Sequence, residues 1–545
     1  MQKIYTMLPM YNDNMFSYHR RQTWETKVGE IGIGGANPIR IQSMTNVNTM
    51  DTQSCVEQCI RMIEAGSELV RITTPGIAEA ENLKNIQHGL RQKGYRVPLI
   101  ADVHFNPRVA ETAAQIVEKV RINPGNYVDK KQFKQLQYTD HEYALEIERI
   151  ADRLVPLLKI CQANGTAIRI GTNHGSLCDR IVSRYGNTPL GMAISTMEFV
   201  SICHDFGFHN LVLSMKSSDT RIMVQSVRYL VSMLNEKQWH YPLHLGVTEA
   251  GDGEYGRIKS AAGIACLLQD GIGDTIRVSL TEKPENELAF ADILAHLNDN
   301  TPSASKTATA TIHYNPYQYQ KRNTQACGKI GGDHRPVIVS EDEHIQDCDL
   351  HPQELPAADI IIAEDKDNNI TALRTLADIG DRPLLLKKTY TETDWEKFYA
   401  HATADVAVLG MDGLLDGIWI QNPHFSSQRI YELCLNILQA CGLRYSRAEF
   451  ISCPSCGRTQ YAIEQVVSQV KAATAHLCGL KIGIMGCIVN GPGEMADADY
   501  GVVGSGRGVV TLYKGHTPLK RNIPQEQAAE ELVLLIKNEG KWIEP

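Results

Sequence analysis

Eight apolar, β-rich runs recur between residues 38 and 280, and nearly every one ends in polar or charged side chains. They read IRIQSMTN, LVRITTP, LIADVHF, KVRINPGN, AIRIGTNHGS, LVLSMKSSD, LHLGVTEAG and TIRVSL, separated by helix-like segments. Strands alternating with crossover helices at this spacing predict a parallel sheet, and eight of them fit a closed (β/α)8 barrel. A doubly wound open sheet is the alternative, but such sheets usually stop at about five to seven strands. In a barrel the late ends of all strands share one rim. That rim would carry Gln42, Arg71, Asp102, His104, Arg121, Asn123, Arg169, Asn173, Lys216, Glu249, Arg277 and Ser279.

Four arginines and a lysine on one mouth repel one another unless an anion sits among them. A phosphate or diphosphate is the natural guest, because guanidinium forks match its oxygens. The competing reading pairs individual arginines with Asp102, Glu249 or helix acids as structural bridges. Five cations together favour a ligand.

The rest of the 545-residue chain exceeds what one core serves, so further domains are expected. A barrel over residues 1–297 is followed by NDNTPSASKTATAT, a Ser/Thr/Ala-rich linker. Residues 298–428 then form a smaller, partial-barrel-like α/β unit with the apolar runs VIVS, DIIIAED, PLLLKKT and DVAVLG as strands. This insert lacks clustered chemistry, and a structural role is expected. Its flanking segments ENELAFADILAHL and QRIYELCLNILQACGL loosely resemble each other, as repeated helices at two junctions would. Residues 429–545 make a third unit.

A net charge of −9 argues against a nucleic-acid binder. No apolar run is long enough to span a membrane, and the N-terminal segment lacks the apolar stretch of a signal peptide. A reducing, cytoplasmic setting is therefore expected, where 14 cysteines serve as small buried residues or as ligands.

Cys453 and Cys456 in FISCPSCGRTQY precede TQYAIEQVVSQVKAATAHL, whose apolar positions Ile463, Val466, Val467 and Val470 follow helical spacing. Thr459 is its expected N-cap. A 19-residue helix is about 28 Å long, so Cys478 at its far end lies away from the pair and is expected to be a small buried residue. The following strand LKIGIM returns by roughly 26 Å and brings Cys487 back to the pair. In the next turn, GCIVNGPGE, the Gly-Pro-Gly sequence aims Glu494 at the same point. Three thiolates suit zinc or an iron-sulfur cluster, and a structural zinc knuckle is the plainer outcome for CPSC alone. GVVGSGRGVV has no helix after it, so it is expected to be a hairpin rather than a nucleotide loop.

Taken in order, IQSMTN, RINPGN, IRIGTN, LGVTEAG, CPSCGRT and GCIVNGPGE resemble the 4-hydroxy-3-methylbut-2-enyl diphosphate synthase family of the methylerythritol phosphate route to isoprenoids. The resemblance covers residues 20–297 and 428–545. It implies a TIM-like barrel, a C-terminal α+β domain similar to those of sulfite and nitrite reductases, and a [4Fe-4S] cluster on Cys453, Cys456, Cys487 and Glu494. It further implies a diphosphate site of Arg71, Arg121, Arg169, Asn173, Lys216, Arg277 and Ser279, with Glu249 as the essential acid. The implied reaction is reductive ring opening and dehydration of 2-C-methyl-D-erythritol 2,4-cyclodiphosphate, with ferredoxin or flavodoxin as electron donor. The insert departs from the two-domain pattern, in which a homodimer shares its sites between chains. A long spacer allows the site to close within one chain instead.

Overall fold

The computed structural model describes residues 9–545 except 13, 130–134, 300, 302–313, 346–347, 366–368, 379 and 489–490. Most of the expected linker, and Val489 and Asn490 of the GCIVNGPGE turn, lie outside the described residues. A short antiparallel hairpin, β1 (Thr26–Val28) and β2 (Ile31–Ile33), comes first. Eight parallel strands follow: β3 (Arg40–Met44), β4 (Leu69–Thr74), β5 (Leu99–Val103), β6 (Lys119–Ile122), β7 (Ala167–Asn173), β8 (Leu211–Lys216), β9 (His244–Leu245) and β10 (Thr275–Ile276). They pair in the order β8-β7-β6-β5-β4-β3-β10-β9. A parallel bridge between Leu213 and Leu243 joins the two ends, so the sheet closes on itself.

Each barrel strand is buried on both faces, which explains the unbroken apolar runs. Outward residues pack under the helices, for example Ile72, Val120, Ile168 and Leu213. The β1–β2 hairpin covers the opposite end of the barrel from the polar rim: Val28 and Ile33 form one apolar cluster with Leu69, Ile100, Ala167 and Val212 near the strand starts. Several crossover helices begin on side-chain caps. Asp219 accepts from the amides of Arg221 and Ile222 at the start of Thr220–Glu236, and Thr139 and Glu142 make a reciprocal capping box at the start of Asp140–Asn164.

The insert is a four-stranded parallel sheet, β11 (Val337–Ile338), β12 (Ile361–Glu364), β13 (Leu384–Thr389) and β14 (Gly417–Gln421), in the order β11-β14-β13-β12. VIVS, DIIIAED and PLLLKKT fall on its strands. DVAVLG does not: it lies in the helix Trp395–Met411, and GIWIQ is the fourth strand. This helix packs against barrel helix Gly253–Gln269, with Phe398 to Met411 buried apart from His401. A helix apolar on all sides and a buried strand look alike over six residues. Helix Ser427–Ala440 packs on β14 and on the same barrel helix.

Barrel and insert share a continuous apolar core and are locked by a ring of four buried charges. Arg228 and Asp270 come from the barrel, Arg374 and Asp412 from the insert. Each arginine meets both acids, at 2.8 Å (Arg228–Asp270), 2.5 Å (Arg228–Asp412), 2.8 Å (Arg374–Asp270) and 2.8 Å (Arg374–Asp412). All four side chains are 0–1% exposed, so removing one acid leaves two guanidiniums sharing one carboxylate away from water. Asp412→Ala is expected to cost about 3–5 kcal/mol. Denaturant unfolding followed by fluorescence checks this, and an unchanged midpoint would refute a supporting role for the ring.

The C-terminal unit is a five-stranded mixed sheet, β15 (Glu449–Ser452), β16 (Lys481–Met485), β17 (Tyr500–Gly506), β18 (Val509–Lys514) and β19 (Thr517–Pro524), with its own core. GVVGSGRGVV forms the β17–β18 hairpin, as expected. The helix after the cysteine pair spans only Ile463–Thr474, and Thr459 does not cap it. Instead the Thr459 hydroxyl accepts from the Cys456 amide at 3.3 Å, inside the cysteine loop. Cys478 precedes β16, at the other end from Cys487, and is exposed rather than buried.

Candidate active site

Strand register builds the anion site. Asp102 on β5 is paired with Arg121 on β6, and Arg121 with Arg169 on β7, so three charged side chains share one rung of the barrel. Asn173 and Lys216 end β7 and β8 side by side. Arg71 enters from β4, while Arg277 and Ser279 follow β10. All of these line one cavity together with Glu249, Cys453 and Cys456. Gln42 and Asn123, also on the expected rim, are absent from its lining: Gln42 bonds Thr275, and Asn123 caps its own loop and bonds Ser176.

The structural-bridge reading holds for one arginine in particular. Arg277 makes a two-pronged contact with Glu287, at 3.2 Å through both Nε and Nη2. Arg121 donates to Asp102 at 3.1 Å and to the Gly171 carbonyl and Asn173. Arg169 is different, because its Nε and Nη1 are buried with no hydrogen-bond partner. Burial, then Arg71 and Arg121, pushes Arg169 well below the ordinary guanidinium range, and burial followed by Arg71 and Arg169 does the same to Lys216. Although burial alone would raise it, Arg71 and Arg121 hold the Asp102 carboxyl well below its ordinary value. One ionised Asp102 does not balance this many cations, and a multiply charged anion would.

Glu249 sits in the β9–β10 connection with φ +49°, a left-handed conformation costly for a residue with a side chain. Its Oε2 is buried without a hydrogen-bond partner. Burial raises its pKa to about 7, against the smaller opposing effects of Thr248, Lys216 and Lys259. A carboxyl group that is largely protonated near neutral pH can donate a proton.

The candidate sulfur ligands come from parallel neighbours. Ser452 ends β15 opposite Ile484 of β16, so the loops carrying Cys453 and Cys487 leave the sheet together. The Cys453 amide bonds the Ile484 carbonyl at 3.0 Å. The thiols of Cys456 and Cys487 contact each other; that hydrogen bond, and then Arg458, hold Cys456 well below the ordinary thiol range. Glu494, fully buried, ends the short Gly491–Glu494 helix. A Cβ at Gly175 of the barrel would come within 2.7 Å of the Glu494 carboxyl carbon. Among the described residues no three His, Cys, Asp or Glu side chains close on a single metal ion. The three thiols interact with one another, and three grouped thiols suit an iron-sulfur cluster, whose ligands bind separate corners.

The C-terminal unit rests on its own chain's barrel. Ala250 bridges Ser452 in parallel, next to both Glu249 and Cys453. Thr281 bonds Ser452 and the Cys453 carbonyl at 3.0 Å, Lys259 meets Glu449 at 2.7 Å, and His174 meets Asp497 at 2.9 Å. A Cβ on Gly493 would lie 2.1 Å from the Gly175 carbonyl oxygen. The cavity between the barrel rim and the cysteine loop is small, about 60 Å³. Larger hollows share no lining residue with it: one of about 410 Å³ on the insert around Trp419, and one of about 250 Å³ between insert and barrel, around Lys388 and Gln269.

The GcpE TIM-barrel domain model matches residues 23–292, and the GcpE C-terminal domain model matches residues 449–538. A 4-hydroxy-3-methylbut-2-en-1-yl diphosphate synthase (flavodoxin) of Bacteroides thetaiotaomicron is 46% identical, over 97% of this chain and 100% of its own length. The chain belongs to the 4-hydroxy-3-methylbut-2-en-1-yl diphosphate synthase family. Synthases of the same name from Akkermansia muciniphila and Leptospira interrogans are 44% and 37% identical, over 99% and 98% of this chain. As a synthase of this family the chain is a [4Fe-4S] oxidoreductase of the methylerythritol phosphate route. It converts 2-C-methyl-D-erythritol 2,4-cyclodiphosphate to 4-hydroxy-3-methylbut-2-enyl diphosphate by reductive ring opening and dehydration. Its insert lies between the two domain models and is covered by neither.

Asp102 and His104 line the cavity as rim residues, while sequence reading singled out neither Met44, Thr248 nor Arg458, which line it too.

Proposed function

We propose that this site works within a single chain, with each side chain in a distinct role. Arg71, Arg121, Arg169, Lys216 and Arg277, with Asn173 and Ser279, hold the diphosphate of the substrate. The observation that carries this reading is that these residues, Glu249, Cys453 and Cys456 line one cavity closed by one chain. Cys453, Cys456, Cys487 and Glu494 hold the [4Fe-4S] cluster, which when bound supplies electrons and a Lewis-acidic iron.

The chain's own groups do the rest. Loss of a hydroxyl as water needs a proton at the departing oxygen, and Glu249 beside the cysteine loop is placed to give one. Buried cations stabilise the negative charge gathering on the diphosphate as the ring C–O bond breaks, and the tight cavity excludes water. Flavodoxin, which the names of the relatives carry, is the proposed electron donor, and a bacterial cytoplasm the proposed setting. Among the described residues no helix is long and apolar enough to cross a membrane. The barrel (1–297) and cluster unit (429–545) are joined by a structural insert (298–428), and the site needs no second chain even where the protein forms a homodimer.

Anaerobic reconstitution tests the ligand set. Wild type is expected to bind about four irons per chain with brown absorption. Cys487→Ser is expected to lose most of the iron, and Glu494→Gln to alter the electron paramagnetic resonance of the reduced protein. A colourless wild type carrying stoichiometric zinc would instead favour a zinc knuckle.

A further inference from the structure

We propose that Arg458, on the cysteine loop, is a substrate-binding residue that grips the diphosphate with a guanidinium fork from the side opposite the barrel's cations. This rests on the reading of the cavity as the diphosphate site. Arg458 belongs to the C-terminal unit, yet it lines the same cavity as Arg71, Arg121 and Arg169. Its side chain is 11% exposed; the guanidinium also meets the Cys456 thiol, but Nε and Nη1 are buried with no hydrogen-bond partner. Its nearest carboxylate is Asp102, 3.7 Å from Nη2, beyond hydrogen-bond reach. That carboxylate is already engaged by Arg121 at 3.1 Å and lies 3.9 Å from Arg71.

One carboxylate thus faces three guanidiniums inside the protein. A buried guanidinium short of partners is costly, and an anion offering several oxygens removes that cost. The backbone holds Arg458 in place: a Cβ on the preceding Gly457 would come within 2.6 Å of the Val47 carbonyl oxygen, so the loop lies directly on the barrel. A diphosphate held between Arg458 and the barrel arginines would tie the ligand to the loop that carries Cys453 and Cys456. Arg458 would then contribute to affinity and also set the distance between the ring and the cysteine loop.

Calorimetric titration of the reconstituted, oxidised holoenzyme with the cyclodiphosphate, without reductant, reads binding with no turnover. Arg458→Gln with an unchanged visible spectrum is expected to raise Kd about 10- to 100-fold, the usual range for a hydrogen bond to a charged group. Arg458→Lys keeps the charge but not the fork, and is expected to bind several-fold weaker than wild type. Arg169→Gln serves as the control for the site itself. Wild-type affinity in Arg458→Gln alongside weakened binding in Arg169→Gln overturns the role of Arg458 alone. Wild-type affinity in both overturns the diphosphate site and this inference with it. If Arg458→Gln does not retain its cluster, Arg458→Lys decides, and wild-type affinity there overturns the proposal.

Discussion

Glu249→Gln is expected to lower kcat by about 10²- to 10⁴-fold, the usual contribution of a positioned acid, while iron content and visible spectrum stay at wild-type values. Glutamine keeps the shape and the polar atoms but has no proton to give. The sign of the pH dependence follows from burial. Glu249 titrates at about 7, above its ordinary value, so the donating form prevails below that pH and is lost as pH rises through it. The wild-type kcat profile should therefore fall on its alkaline side near neutrality, and Glu249→Gln should lack that limb. Near-normal turnover in the variant would remove Glu249 from proton transfer. A shifted spectrum would show instead that the substitution reaches the cluster site.

Mixing Glu249→Gln chains with Cys453→Ser chains is expected to leave activity at the level of the separate variants. In one the barrel half of the site is disabled, in the other the cluster half. Sites shared between chains would be rebuilt in some of the mixed dimers, and activity would return. The contacts at Ala250–Ser452, Thr281–Cys453, Lys259–Glu449 and His174–Asp497 all lie within one chain. The insert is fixed to the barrel by the Arg228–Asp270–Arg374–Asp412 ring and a shared core, so it acts as a strut of set length rather than a loose tether. Rescued activity in the mixture, measured under reductant after co-refolding or co-expression, would sink the single-chain reading.

The barrel was legible because a parallel strand buried on both faces leaves an unbroken apolar run, and because its inward polar residues collect late. Arg71, Arg121, Arg169 and Lys216 each stand near the end of such a run, and each reached the cavity. The three thiols were legible from the return path of one helix and one strand, even though the helix proved shorter than expected. DVAVLG misled because a helix wedged between two layers shows no polar face. Arg458 was passed over because a lone arginine near two cysteines has no distinguishing pattern; its meaning comes from Asp102, more than 350 positions earlier in the chain. Pairing of Arg277 with Glu287 was equally hidden, since only the return of the following helix brings them together.

The parallel bridge between Ala250 and Ser452 joins the segment bearing the acid to the segment bearing the first thiol. Any movement that lifts the C-terminal unit breaks this bridge, parting the proposed proton donor from the proposed cluster site in the same step. Neither half of the chemistry can then run without the other. An open chain would be a safe chain, one that does not spend reducing power on water or dioxygen while the barrel waits for its next substrate.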